Sequence, residues 1–536
     1  MQQPVIIHKL LALFFTCFTI SLFAQPSSIP ADIEWGTELK EPNGTTISKI
    51  IGINKQGFYV LREKNQTGLT ASNTQKIFIE SYDKRMKLKK ANEIPLKYKN
   101  KNLELEDVLM IGGKIFLLSS YNNQAKRKNY LFAQEVSLKS LQLRKNLVKI
   151  GEIDTRNKVK EGYFDNHISR DSSKILIYNE LPYQKKQPER FALRVFDKEF
   201  NEIWSRDITL PYNDEIFNVE EYRVDNEGNV YLLGVVYSER GRVRRKGRPT
   251  YQYTILAYTR DGNEAEEYRI NLEEKFITDL TFRVADDGNL ICSGFYSDIG
   301  NYSIKGTYFF RLNAETKEVF NKNLKQFDFD FLTVNLSDRK RERLKNAEDA
   351  GKAKRQTELY QYSLDHLILR SDGGALLIAE QYFVEEQTFR DYFYGNFTVN
   401  YYYNYNDIIV VNIRPNGEIE WATHIPKRQV TTNDGGYFSS YAMSIVRDKI
   451  YFIFNDNSRN FNNRDRRLYN YNGQNSVIAL AELHKDGSLK TYPLFNNREA
   501  DIITRPKVCK QSGRREMVIY GERGRRYRFA KLAFGS

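Results

Sequence analysis

One stretch constrains the fold of this chain more than any other. Residues 218–272 run Val219-Glu220-Glu221-Tyr222-Arg223-Val224, a turn over Asp225 to Asn229, Val230-Tyr231-Leu232-Leu233-Gly234, a basic loop, Thr254-Ile255-Leu256-Ala257-Tyr258, a turn at Arg260-Asp261-Gly262-Asn263, and a last run to Ile270. Short apolar runs separated by Gly, Asp and Asn read as strands joined by hairpin turns, because those residues tolerate positive φ or bond their own backbone. The unit is therefore four strands with two tight turns and one long loop. Its first hairpin recurs at 50–61 around Lys55-Gln56-Gly57, at 107–118 around Gly112-Gly113, at 167–178 around Asp171-Ser172-Ser173, at 280–295 around Asp286-Asp287-Gly288-Asn289, and at 367–380 around Ser371-Asp372-Gly373-Gly374. It recurs again at 443–454 around Arg447-Asp448-Lys449 and at 506–520 around Gln511-Ser512-Gly513.

A four-stranded unit repeating every 45 to 60 residues or so predicts an all-β chain folded as a single β-propeller. Eight four-stranded blades are expected, over about 46–95, 104–150, 164–211, 218–272, 278–325, 362–427, 440–493 and 502–534. The last unit is one strand short. Ile33-Glu34-Trp35-Gly36-Thr37-Glu38-Leu39 matches Ile419-Glu420-Trp421-Ala422-Thr423-His424-Ile425, and Trp204 holds the same place in its own repeat, so all three tryptophans sit on outermost strands. Residues 33–41 are thus expected to complete the last blade, which closes the ring and removes exposed sheet edges. A seven-bladed ring with one irregular unit, or two smaller β domains, is the alternative. The chain resembles secreted bacterial-type β-propeller repeat proteins, and outer hairpins such as Arg414-Pro415-Asn416-Gly417-Glu418-Ile419-Glu420-Trp421 are loosely similar to quinoprotein-type repeats. It has no Trp-Asp repeat ending, no Asp-box and no regular kelch double glycine, so the resemblance implies a fold and no particular activity.

Lys9, the apolar run 10–23 and Ala24 form a secretory signal peptide over 1–24, too short to span a membrane well. Cys17 lies inside the apolar run, which argues against a lipid-anchored cysteine. Export to the periplasm, the cell surface or beyond is expected, with the propeller occupying 25–536 and no transmembrane segment after the signal. The formal charge is +14 with pI 9.2, which favours anionic surfaces as partners. Only Cys292 and Cys509 follow the signal, so disulfides do not hold the fold. A monomer is expected.

In such a blade the tight turns fall on one face of the ring and the long loops on the other. The long loops carry Arg240, Arg242, Arg244, Arg245, Lys246 and Arg248 in the fourth unit, Tyr392, Tyr394 and Tyr402 in the sixth, and Arg466 and Arg467 in the seventh. A helical insertion at 337–355 joins the same side. Guanidinium forks suit phosphate, sulfate or carboxylate, and aromatic and amide groups suit sugars or proteins. The leading reading is a binding or scaffold protein whose long-loop face takes a protein or an anionic polysaccharide. Nucleic acid is the weakest partner for an exported chain. The bland reading of the arginine cluster is a solvated hairpin tip.

Asp165, Glu220 and Asp365 align at the start of the innermost strands, with Glu106 in the second unit and His167 and His366 beside two of the acids. Together they imply a polar channel mouth. No cofactor is expected; Ca²⁺ is the cation such a ring of carboxylates would take, and a water-filled funnel without metal is the preferred reading. The runner-up function is a glycan hydrolase or lyase using Asp165, Glu220, Asp365 and His366. Nucleophile elbows, phosphate-cradling glycine loops and Cys-x-x-Cys pairs are absent from the sequence.

Overall fold

The computed structural model describes residues 29–535 apart from 65–74, 156–161, 182–187, 214, 240–242, 246, 273–274, 301–302, 335, 351–357, 391–396 and 462–467. The signal-peptide reading of 1–24 lies outside the described residues. The rest is all-β, organised as seven four-stranded antiparallel sheets and one six-stranded sheet, with three two-stranded ribbons between them. Sheets 1 to 7 begin with the strands Thr45–Asn54, Glu104–Ile111, Phe164–Ile168, Phe217–Val224, Phe276–Val284, Tyr362–Leu369 and Ala442–Val446, and each adds its next strands in chain order. Sheet 8 runs from Lys510–Gly513 through Glu516–Arg523 and Arg526–Phe534 to Ala31–Trp35. The N-terminal strand pairs with the C-terminal one in register, Ala31 opposite Phe534 and Trp35 opposite Ala530.

The second strand of each sheet explains the packing. Val230–Tyr237, Leu290–Ser297 and Lys449–Asn457 are largely apolar runs, the second buried at every position and the third at every position but its first. A strand apolar on both faces must be covered on both. Neighbouring sheets provide the cover: one core joins sheet 1 to sheet 2 through Ile79, Leu96 and Leu117, another joins sheets 4 and 5 through Leu233, Ile255 and Phe282, and a third joins sheets 6 and 7 through Ile378, Val410 and Phe452. Sheets 8 and 1 share a core as well, through Val60, Phe58, Tyr520 and Phe529. Each fully buried aliphatic or aromatic side chain in these layers contributes about 1.5–3 kcal/mol relative to exposure. Outer strands instead alternate, as the burial pattern of Ile419–Thr432 shows.

Two features of the sequence fold differently from expectation. The hairpin expected to turn at Gln511-Ser512-Gly513 turns at Arg514-Arg515, because Lys510–Gly513 is itself a strand paired with Glu516–Arg523 and Gly513 is not in a left-handed conformation. Pro506–Val508 ahead of it is a 3₁₀ turn, since proline lacks the N–H that a ladder needs. The tyrosine-rich insertion of the sixth unit is not a loop. Ala375–Arg390 and Phe397–Ile413 are continuous strands of 16 and 17 residues, which aromatic and β-branched residues at alternate positions favour. The helical insertion holds the helix Asp338–Asp349, preceded by a short helix Phe329–Leu332 capped by the Asp328 carboxylate; 351–357 lie outside the described residues. No helix among the described residues is long and apolar enough to cross a membrane.

Candidate functional site

The long strands of sheet 6 build an arm. Tyr362–Leu369 accompanies the first of them only to Gln381, opposite Tyr362, and Ile419–Thr432 accompanies the second only to Tyr402, opposite Thr432. Past Tyr382 the first strand has a bare edge, and residues 386–390 and 397–401 pair with each other alone out to Arg390 opposite Phe397, a two-stranded tip of roughly 16 Å at about 3.3 Å per residue. Residues directly opposite share a face, and so do alternate residues along a strand. One face of the arm therefore gathers Tyr382, Val384, Tyr401, Val399 and Phe397, which are 39, 42, 42, 38 and 68 % exposed. Glu386 and Thr388 stand among them on the same face, and exposed aromatic and aliphatic side chains gathered this way mark an interaction site.

The root of the arm is as dry as its tip is open. Lys427 Nζ lies 2.7 Å from Glu380 Oε1, with the two side chains 0 and 5 % exposed. It also donates to the Tyr405 carbonyl and to Gln429 Oε1, while Ser440 Oγ donates to Glu380 Oε2. Asp407 accepts from the Lys427 backbone N–H, and burial raises its carboxyl to about 7. From the 3₁₀ turn ahead of sheet 8, Lys507 Nζ donates to the Tyr405 hydroxyl at 2.8 Å and sits 4.1 Å from the ring centre. Satisfied buried polar groups fix one geometry, because moving any of them strands a charge.

The arginine cluster fares otherwise. Arg240, Arg242 and Lys246, like Tyr392, Tyr394, Arg466 and Arg467, lie outside the described residues. Arg244 donates to the Ile299 carbonyl at 2.7 Å and lies over Phe276, Arg245 pairs with Glu239 at 3.4 Å, and Arg248 faces Arg245 across a two-stranded ribbon. Of the described part, Arg244 is thus tied to its own chain, while the Arg245 side chain stays 63 % exposed. Tyr402 is half-buried opposite Glu385 and Thr432.

The first strands of the sheets repeat a distortion. Glu106, Glu220, Thr278 and Asp365 are each the extra residue of a β-bulge, which re-aims side chains and increases local twist. The alignment of acids in the sequence is the register of this bulge. Asp165 is the exception: it pairs regularly with Tyr178 and accepts from the backbone N–H of Asn166. No hydrogen bond or ion pair joins any two of Asp165, Glu220, Asp365 and His366, all of which are exposed. Polar side chains instead bridge one innermost strand to the next. Lys49 pairs with Asp107, His167 Nδ1 accepts from Val224 N, Thr281 donates to Glu221, Asp279 accepts from Leu364 N, Tyr441 donates to Asp365 at 2.6 Å, and Gln511 exchanges two bonds with Ile445.

Asp279, which the sequence pattern did not single out, lines a cavity of about 370 Å³ on the long-loop side with Glu220, Tyr253 and Tyr362. Burial raises its carboxyl to about 7, against the backbone N–H groups of Leu364 and Leu280, and Asp365 rises to about 6 for the same first reason. Burial also raises Glu220. Among the described residues no group of three or more His, Cys, Asp or Glu is placed to hold a metal ion. Larger cavities, of about 880 and 650 Å³, open on the tight-turn side.

No protein-family model matches the chain, and no curated protein matches it. Solved structures similar to it include the β-propeller domain of the Trilobed protease from Pyrococcus furiosus, described as having an open velcro topology, at 12 % identity, 85 % coverage of this chain, 98 % of that one and a TM-score of 0.34. The WD40 domain of SCAP from fission yeast is similar at 8 % identity, with 94 and 99 % coverage and a TM-score of 0.34. Prolyl oligopeptidase B from Galerina marginata is similar at 8 % identity over 90 % of this chain and 55 % of that one, with a TM-score of 0.37. These neighbours have propeller domains, and likeness at this level says nothing of what the present chain binds or turns over.

Proposed function

We propose that this is an exported binding protein that holds a partner protein on its long-loop side through the arm of sheet 6. The frame for that reading is a closed ring of eight blades whose last blade is completed by Ala31–Trp35; it rests on the pairing of that strand with Arg526–Phe534 and on the core shared by sheets 8 and 1. The carrying observation is the apolar face of the arm, five large side chains between 38 and 68 % exposed on a ribbon rooted by a buried ion pair. Such a ribbon offers a partner two open strand edges and an aromatic face, the ingredients of strand addition and of aromatic anchoring. A protein is favoured over an anionic polysaccharide because the exposed side chains gathered on the arm are aromatic and aliphatic.

A photo-crosslinking residue at Val399 tests this in the producing cell. A discrete crosslinked protein is expected there and not from the same residue at Asn416, a tight-turn position, and Tyr401→Asp should abolish it. Equal crosslinking at the two positions, or none at Val399, would overturn the reading. A second reading, acid–base chemistry on a glycan, is favoured by one observation: the Asp279 carboxyl at about 7 facing an open cavity. Turnover that disappears in Asp279→Asn would support it.

A further inference from the structure

The tight-turn half of the channel holds a second, differently charged chamber. Its cavity of about 650 Å³ is lined by innermost strands of sheets 3 to 6, with His167, Arg223 and Arg283 at its inner end and Arg170 at its rim. The inner end has more donors than acceptors. Val224 N and Arg223 Nη1 each stand 3.2 Å from a different nitrogen of the His167 ring. A neutral imidazole has one lone pair and a charged one has none, so at least one of the two N–H groups lacks an acceptor in every protonation state. Arg223 Nε is buried with no hydrogen-bond partner at all. Unmet buried donors of this kind cost about 1–3 kcal/mol each and require an explanation.

Charge points the same way. Arg223 and Arg283 both approach one carboxylate, Glu221, the second at 3.5 Å. Their side chains are 19 and 23 % exposed, so one positive charge is left over in a largely desolvated place. The other acids do not cancel it. Asp225 is consumed by the backbone N–H groups of Glu227, Gly228 and Asn229, Asp286 pairs with Arg170 at the rim, and Glu227 is exposed. Burial acts against the charge of Arg283, and of Arg223 together with the neighbouring Arg283, so a counter-anion would benefit both.

We infer that this chamber binds a singly charged oxyanion, a carboxylate or a sulfate ester carried by a ligand of about monosaccharide size, between the Arg223 and Arg283 guanidinium groups and within reach of His167. Guanidinium forks suit such groups bidentately, and a cavity of this volume lies in the range that takes small ligands. This site is distinct from the arm and does not depend on the arm having a partner.

The probes are D-glucuronate for the carboxylate and N-acetylglucosamine 6-sulfate for the sulfate ester, with glucose and N-acetylglucosamine as neutral controls. In the ¹⁵N-histidine-labelled protein, saturable millimolar titration with at least one of the anions should move the His167 ring signals and leave those of His484 in place; which anion does so identifies the group. Isothermal titration should give binding weakened roughly ten- to hundredfold by Arg283→Gln, the loss of a charge-assisted contact, and unchanged by Arg370→Gln in a different cavity. Immobile His167 signals with both anions, equal binding of the neutral sugars, or binding undiminished in a folded Arg283→Gln would each overturn the inference. The wild-type spectra decide it even where the variant does not fold.

Discussion

Replacing Lys427 with methionine removes the charge at the root of the arm while keeping most of the stem's volume. Glu380, 5 % exposed at its side chain, is then left with Ser440 Oγ as its remaining hydrogen-bond donor. Breaking a buried pair by deleting one partner costs about 3–5 kcal/mol, because the surviving charge has lost its solvent and its counterion together. The carbonyl of Tyr405 loses the Lys427 donor in the same change, and Gln429 Oε1 keeps only the Ser440 backbone N–H. For a chain of about 500 residues a loss near 4 kcal/mol lowers Tm by only about 4 °C, so urea denaturation is the better assay. A double-mutant cycle with Glu380→Leu then separates pairing from packing. The Lys427→Met, Glu380→Leu protein should recover much of the loss, since an apolar pair of similar volume often replaces a buried ion pair at little cost. A Lys427→Met variant within about 1 kcal/mol of wild type, or a double variant that merely sums the two single losses, would refute the claim that a desolvated pair anchors the arm.

Deleting 29–40 uncovers the edge of Arg526–Phe534 and strips Trp35 from Phe495, 5.0 Å away, and from Arg528 above its ring; bare edges template pairing between chains, so sedimentation should show self-association absent from the full chain, and a monodisperse truncated protein would contradict the role of that strand. Asp279 and Asp407 are each raised from 3.8 to about 7 in the folded chain. Their protonated forms are therefore favoured by folding: the stabilisation is complete below the unfolded value and is lost as pH rises through 7, a few kcal/mol at most from each group. Urea midpoints should fall between about pH 4 and pH 7 and fall less steeply in Asp279→Asn; an identical slope in that variant would exclude Asp279 as a contributor.

The repeating architecture was legible because it is written in local chemistry. Asp225, Gly228 and Asn229 form a turn whose carboxylate takes three backbone N–H groups, and nothing beyond those five residues is needed to read it. The tryptophan match between 33–39 and 419–425 worked for a similar reason: Trp35 and Trp421 both lie on outermost strands, where burial is one-sided and the pattern survives. The turn of the last unit was misplaced because Arg514-Arg515 turns without Gly, Asn or Asp. Function was harder to read. The arm hides in plain view as alternation, Phe397, Val399, Tyr401, Tyr403, Tyr405, but a run of tyrosines and asparagines reads equally well as loop until the pairing is known.

The channel shows a deeper limit and its physical cause. Aligned acids look like a catalytic ring when only their spacing is visible, yet a bulge at a constant position produces the same alignment with side chains that bridge neighbouring strands, as Asp365 does with Tyr441. Whether a polar residue in a repeat is a reactant or a brace depends on contacts hundreds of residues away in the chain or in the next repeat. The donors of the Arg223, Arg283 and His167 chamber stand out for the opposite reason. Braces satisfy their partners, whereas here a buried guanidinium nitrogen has none and two donors share one ring. Thr278, Ser444 and Ser512 on other inner strands also bury a hydroxyl without a partner, but among the described residues only here does the unmet donor belong to a guanidinium that shares its carboxylate with a second arginine beside a cavity with room for a ligand's oxygen atoms.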